Sequence, residues 1–240
     1  MDKTDPFTIA TLPAPTANRP LLGLTVLAVE DSRYACEAIR LLCLRSGARI
    51  RRADCIRSAR RHLQVYRPSV VIVDLGLPDG DGADLIRELG RSEPRVAVIL
   101  GTSGDPDAEA VAMEAGADGF LPKPIQSLVA FQQALLERLP AERQPTGPRP
   151  VDDEIILPDR MAFHDDMAHV ADVLEDPPDD GALDYVAQFL SGLARSARDP
   201  SLETAARALA DKRAKGERGI PEQAALAGLI QQRLTQKMAI

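Results

Sequence analysis

Tryptophan is absent from the 240 residues, and phenylalanine and tyrosine are so few that aromatics make up only 3%. A core without large rings must be packed by aliphatic side chains. The 45% hydrophobic content supplies these amply, as expected for helices laid against a parallel sheet. No apolar stretch approaches the ~18 residues that a membrane span requires, and the opening MDKTDPFTIA lacks the basic-then-apolar order of a secretion signal. Cysteine is scarce and odd in number. Cys36, Cys43 and Cys55 sit inside apolar helical patterns and read as reduced core residues. That argues against a disulfide framework and gives the expectation of a cytoplasmic location. Histidine is equally sparse: His62 follows Arg60 and Arg61 on a surface helix, and His164 and His169 are five apart, so they do not share a helix face as a metal pair would. With no nucleophile–base pair and no metal-ligand spacing after residue 150, an output enzyme finds no support.

What is present is unevenly distributed. The formal net charge is −7, yet residues 1–150 balance 19 acidic against 19 basic side chains, while residues 151–240 hold 17 acidic and 10 basic. The acidic excess of the second part weighs against a grip on DNA, whose affinity comes largely from neutralising phosphates. Residues 1–22 contain four prolines without a period and read as a loosely docked arm. From residue 23 to 139, apolar runs at Leu24–Val29, Ala48–Ala53, Val70–Val73, Val96–Leu100 and Gly119–Leu121 alternate with helix candidates near 33–46, 56–66, 82–90, 106–115 and 126–139. Five such alternations imply an α/β fold, a five-stranded doubly wound parallel sheet, with active residues at the carboxyl ends of the strands. Residues 140–150 form a Pro/Gly-rich linker. Residues 151–240 then offer helix candidates near 159–175, 180–198, 201–215 and 221–238, which predict an all-α antiparallel bundle.

Within that frame Glu30 and Asp31 follow the first strand, Asp74 ends the third and Lys123 follows the fifth, so the four should meet at one rim of the sheet. Carboxylates gathered there repel, and a divalent cation with oxygen ligands relieves the repulsion; Mg²⁺ fits. The stretches VLAVEDS, VVIVDLGLPDGDG, VILGTSG and AGADGFLPKP resemble, in order and spacing, the receiver domains of two-component response regulators. The resemblance implies a flavodoxin-like fold and a phosphoacceptor aspartate at Asp74. It also implies Asp31 as a direct Mg²⁺ ligand, Glu30 acting through water, and the Gly76 carbonyl as a further ligand. Lys123 would pair with the phosphate, the Lys123–Pro124 bond would be cis, and Phe120 would be the aromatic switch. The switch hydroxyl falls on Thr102 by strand pattern. Counting back without gaps puts Gly101 there, which has no hydroxyl, and Ser103 is the other hydroxyl within reach. Such a domain catalyses only its own phosphorylation and dephosphorylation, and its partner is a sensor histidine kinase or phosphotransfer protein.

After the linker the resemblance is thin. VAQFLSGLA, residues 186–194, is faintly similar to the second helix of histidine-containing phosphotransfer domains, with Gln188 where the phosphorylated histidine would stand and Ser191-Gly192 in place of Lys-Gly. A domain of that kind could not relay phosphate. Leu183, Val186, Leu190, Leu193 and Ala197 make one apolar stripe. Gln188 lies nearly opposite it, and Gly192 lies one turn later on the same side, a face suited to docking a partner. The expected output is therefore a protein-interaction or dimerisation module, a homodimer included; a helical DNA-binding output is the alternative. The acidic pairs Asp152-Asp153 and Asp165-Asp166 read as solvated helix starts. The basic run from Arg49 to Arg61 reads as a solvated or partner-facing edge, because no aromatics interleave with it.

Overall fold

The computed structural model describes residues 13–147, 154–175 and 180–236. Five strands, β1 (Thr25–Val29), β2 (Arg49–Ala53), β3 (Val70–Asp74), β4 (Val98–Ser103) and β5 (Gly119–Pro122), form one parallel sheet in the order β2-β1-β3-β4-β5. Helices α1 (Arg33–Ser46), α2 (Ile56–Val65), α3 (Gly82–Arg91), α4 (Ala108–Glu114) and α5 (Leu128–Leu136) connect and flank them. The continuous apolar run of β3, buried at every position, is what a strand covered on both faces requires. One apolar layer joins Leu42, Ile72, Leu100 and Phe131, and the other joins Leu27, Val71, Leu85 and Ile99. β2 is an edge strand with exposed arginines at Arg49, Arg51 and Arg52, which explains its weak apolar signal.

The LPDGDG stretch has a structural logic of its own. Gly76–Leu77 turns back on Gly80–Asp81 in a short antiparallel ribbon. Asp79 at its tip accepts bonds from the Ile56 and Arg57 N–H groups (2.8 and 2.9 Å), capping α2, whose own N-cap residue Cys55 makes no side-chain capping bond. Asp81 caps α3 through the Ala83 N–H at 2.8 Å. Gly82 is obligatory, since a Cβ there would lie 1.9 Å from the Asp74 carbonyl oxygen.

Helices α6 (Arg160–Glu175), α7 (Asp180–Ala197), α8 (Pro200–Ala214) and α9 (Ile220–Thr235) follow. They pack around Met167, Val170, Val186, Leu190, Leu193, Leu202, Leu209, Leu226 and Ile230, and the stripe expected on α7 does face this core. Residues 237–238 of the last helix candidate lie outside the described residues.

Several expectations change. Leu21, inside the stretch read as an arm, is only 1% exposed and belongs to the sheet core, because the turn Thr16–Leu24 folds it back against α1. Cys36 and Cys43 are buried, and burial pushes both thiols up to about 12. Cys55 is instead the half-exposed residue before α2, where the chain is extended rather than helical. Asp165 and Asp166 are not a helix start: α6 begins at Arg160, which puts them in its second turn, and Asp166 is 2% exposed.

Candidate functional site

The β1, β3 and β5 ends converge as the alternation predicts. Glu30 leaves β1 with its N–H bonded to the Ala53 carbonyl at 2.9 Å, which turns its side chain inward to 2% exposure. Asp74 closes β3 at 7% exposure. Lys123 follows β5, and the Lys123–Pro124 bond is cis. Its Nζ donates to Asp74 Oδ2 at 2.9 Å and lies 2.7 Å from Glu30 Oε2, an ion-pair contact without hydrogen-bond alignment. Ligand oxygens of Glu30, Asp31 and Asp74 all lie within 4.8 Å of one another.

The electrostatics follow from three carboxylates and one ammonium out of bulk water. Burial, and then the neighbouring acids, hold the Glu30 carboxyl well above its usual range despite Lys123. Burial and the Asp74 charge push Asp31 up to about 6. For Lys123, burial alone would favour loss of the proton, but Asp74, Glu30 and Asp31 outweigh it and hold the ammonium charged. Three hard-oxygen donors, from Glu30, Asp31 and Asp74 within 4.8 Å of one another, suit a divalent cation such as Mg²⁺.

Thr102 stands in register beside Asp74, completely buried, and its hydroxyl donates to the Leu121 carbonyl at 2.7 Å. Ser103, one residue on, accepts from the Asp105 N–H at 3.1 Å and lines the cleft over Asp74. Gly101 faces α4: a Cβ there would come within 2.6 Å of the Ala112 methyl and 3.3 Å of the Phe120 ring. The missing side chain leaves room for Phe120, which packs against the α3–α4 layer and also reaches the cleft.

The helical region completes the site, which the sequence pattern does not foretell. Tyr185 of α7 donates its hydroxyl to Asp31 Oδ2 at 2.6 Å; burial and the Asp31 charge hold its phenol well above the usual range. Asp166 of α6 accepts from the Ser32 hydroxyl (2.7 Å) and from the Arg33 and Tyr34 N–H groups (2.8 and 3.1 Å), so a residue from another region supplies the anion at the α1 N-terminus. Arg33 also pairs with Asp165 at 2.8 Å. Gln188 does lie opposite the apolar stripe, but it points at Gly76, where a Cβ would sit 2.6 Å from Gln188 Nε2. Gly192 approaches Gly104: a Cβ on Gly104 would be 3.4 Å from the Gly192 Cα. Gln126 after β5 donates to the Ser196 carbonyl at 3.1 Å. Tyr185, Gln188, Gly192 and Ser196 share one face of α7. Tyr185 stands one turn before Gln188, but that spacing places it on the face without saying what the face meets.

Residues 26–134 match the family model described as response regulator receiver domain. This segment is a receiver domain. The KDP operon transcriptional regulatory protein KdpE of Escherichia coli (strain K12) is 32% identical over 122 residues, covering 50% of this chain and 54% of the relative. The virulence transcriptional regulatory protein PhoP of Salmonella typhimurium (strain 14028s / SGSC 2262) is 34% identical over 118 residues, 48% of this chain and 53% of its own length. Among solved structures, the signal receiver domain of a signal transduction histidine kinase from Syntrophus aciditrophicus aligns with a TM-score of 0.45 at 26% identity. It covers 52% of this chain and 97% of that one. The chain spans about half the length of the curated relatives it matches, and the helical region after the receiver domain lies outside these matches. Both relatives are named as transcriptional regulators, so the expectation against a nucleic-acid partner gains no support from them. No helix among the described residues is long and apolar enough to cross a membrane.

Proposed function

We propose that the chain is a phosphorylation-controlled response regulator that accepts a phosphoryl group on Asp74 from a histidine kinase or phosphotransfer protein. One observation carries this reading: Lys123 bridges Asp74 and Glu30 at 2.9 and 2.7 Å while Asp31 shares the same few ångströms. Asp31, Glu30, Asp74 and the Gly76 carbonyl would hold Mg²⁺, which supplies charge neutralisation at the acceptor and at the incoming phosphoryl oxygens. The Asp74 carboxylate is the nucleophile, and it forms an aspartyl phosphate as the donor's bond to phosphorus breaks. Lys123, already held charged, pairs with the added negative charge as a point cation. The Thr102 hydroxyl would leave the Leu121 carbonyl for the new phosphoryl oxygens. That frees the β5 end and lets Phe120 move inward toward the space above Gly101. Each tenfold shift between two such conformers needs about 1.4 kcal/mol of differential interaction, within the range of one or two charge-assisted hydrogen bonds.

The helical region is the output, a protein-interaction or dimerisation module in the cytoplasm. A DNA-binding output is the second reading, favoured by the names of KdpE and PhoP; against it stand the 17 acidic and 10 basic residues of the C-terminal part. Duplex titration by fluorescence anisotropy separates the two. Salt-sensitive, sequence-dependent binding would replace the protein-interaction reading. The acceptor assignment is tested by incorporation of acid-labile phosphate from a small donor with Mg²⁺, which Asp74→Asn should abolish.

A further inference from the structure

The face of α7 carrying Tyr185, Gln188, Gly192 and Ser196 lies along the rim from which any donor must approach Asp74. It contacts the β1 end at Asp31, the ribbon at Gly76, the β4–α4 loop at Gly104 and the β5–α5 loop at Gln126. A helix with its side chains is about 10–12 Å across, so a second helix bringing a histidine to Asp74 cannot occupy this track while α7 does. What stays open beside α7 is a cleft of about 1110 Å³, reaching Asp74, Lys123 and Ser103 on one side and Gln188, Arg195 and Arg207 on the other. Sites for small organic ligands measure about 300–1,000 Å³. The cleft thus has room for a small anion, with Lys123, Arg195 and Arg207 set among the carboxylates of Asp74, Asp105, Glu109 and Asp211 that also line it, while α7 fills the track that a partner's helix would need.

We infer that α7 is a resident donor selector: the closed protein takes its phosphoryl group from a small acyl phosphate through the cleft, and from a protein-borne phosphohistidine only once α7 has left the rim. This rests on the reading of Asp74 as acceptor. With an acyl phosphate the Asp74 oxygen–phosphorus bond forms as the acyl oxygen–phosphorus bond breaks. The carboxylate leaves with the bonding pair, and no other reactant is needed.

The test uses the full chain in three forms, all in a Cys55→Ser background so that no half-exposed native thiol competes. These are the parent; an opened variant, Tyr185→Phe with Asp166→Asn, which keeps side-chain shape; and a lockable variant, Gly104→Cys with Gly192→Cys, whose backbones already approach closely. Each is labelled with acetyl phosphate and, separately, with a panel of phosphorylated histidine phosphotransfer proteins, and initial rates of acid-labile label on Asp74 are compared. The ratio of protein-donor to acetyl-phosphate labelling should rise about tenfold or more on opening, and fall about tenfold or more on oxidising the lockable variant, with recovery on reduction. A ratio that stays the same across the three forms overturns the selector. So does an oxidised form that acetyl phosphate no longer labels, or an opened form that acetyl phosphate labels and every phosphotransfer protein still fails to label. If acetyl phosphate labels none of the three, Asp74 is not the acceptor and both readings fall together.

Discussion

At the scale of single residues, the acidic corner around Asp74 is held by charge balance and by one absent side chain. Lys123 is the cation among three carboxylates, with its side chain 9% exposed. Removing one partner from a buried ion cluster costs about 3–5 kcal/mol where the remaining charges stay buried. Lys123→Ala should therefore lower the denaturation midpoint in metal-free buffer, and millimolar Mg²⁺ should restore part of the loss; a variant indifferent to Mg²⁺ would speak against a cation site at Glu30 and Asp31. Gly82→Ala places a methyl against the Asp74 carbonyl and should cost about 1–3 kcal/mol or more in urea denaturation. That Glu30, Asp31, Asp74 and Lys123 meet is legible in the amino-acid sequence, because each sits at a strand end or in a fixed-offset motif. Tyr185 and Asp166 are not. Nothing in their local pattern distinguishes a solvated acid or an amphipathic tyrosine from one committed to a residue more than 130 positions away.

At the scale of elements, local pattern fixes strands and helices well but does not fix what an exposed-looking face meets. The apolar stripe of α7 follows from spacing and packs as expected; the opposite face has the pattern of a docking surface, and its contact is with the receiver domain of the same chain. The start of α6 is hidden for a related reason: Asp165-Asp166 looks like an N-terminal acidic pair, but the helix starts at Arg160, and Asp159 accepts from the Ala162 N–H at 2.9 Å. The α7–α8 junction offers a test by pH. Asp199 caps α8 through the Leu202 N–H at 3.1 Å and holds Arg233 of α9 through two contacts of 2.6 and 3.0 Å. The Arg233 bonds hold its carboxyl below the ordinary value of 3.8. A depressed folded-state pKa adds stability above the unfolded value, and that stability is lost as pH falls through the folded one. The contribution should be intact at neutral pH and decline below about pH 4. Asp199→Asn should lower the midpoint at pH 7 and erase part of the wild-type loss at acid pH, as thermal melts across that range would reveal; parallel curves would contradict the assignment.

At the scale of the whole molecule, the receiver domain and the helical region share a hydrogen-bonded seam that includes the α1 N-terminus. The Arg33 and Tyr34 N–H groups, which an isolated α1 would leave to water, are donated to Asp166. Hydrogen exchange of these two amides should slow in the full chain and quicken about tenfold or more in Asp166→Ala. Equal exchange in the two proteins would mean that the regions are not docked in solution. Composition and periodicity carry the domain types, the α/β order and the acidic corner. The seam depends on pairing between regions of one chain, which neither of them encodes.

The central claim, that Asp74 receives the phosphoryl group, is tested most directly by incubating the full chain with labelled acetyl phosphate and Mg²⁺ and measuring acid-labile phosphate. Wild type should incorporate label at one site per chain and Asp74→Asn should incorporate none. An Asp74→Asn protein that labels as fast as wild type would contradict the account.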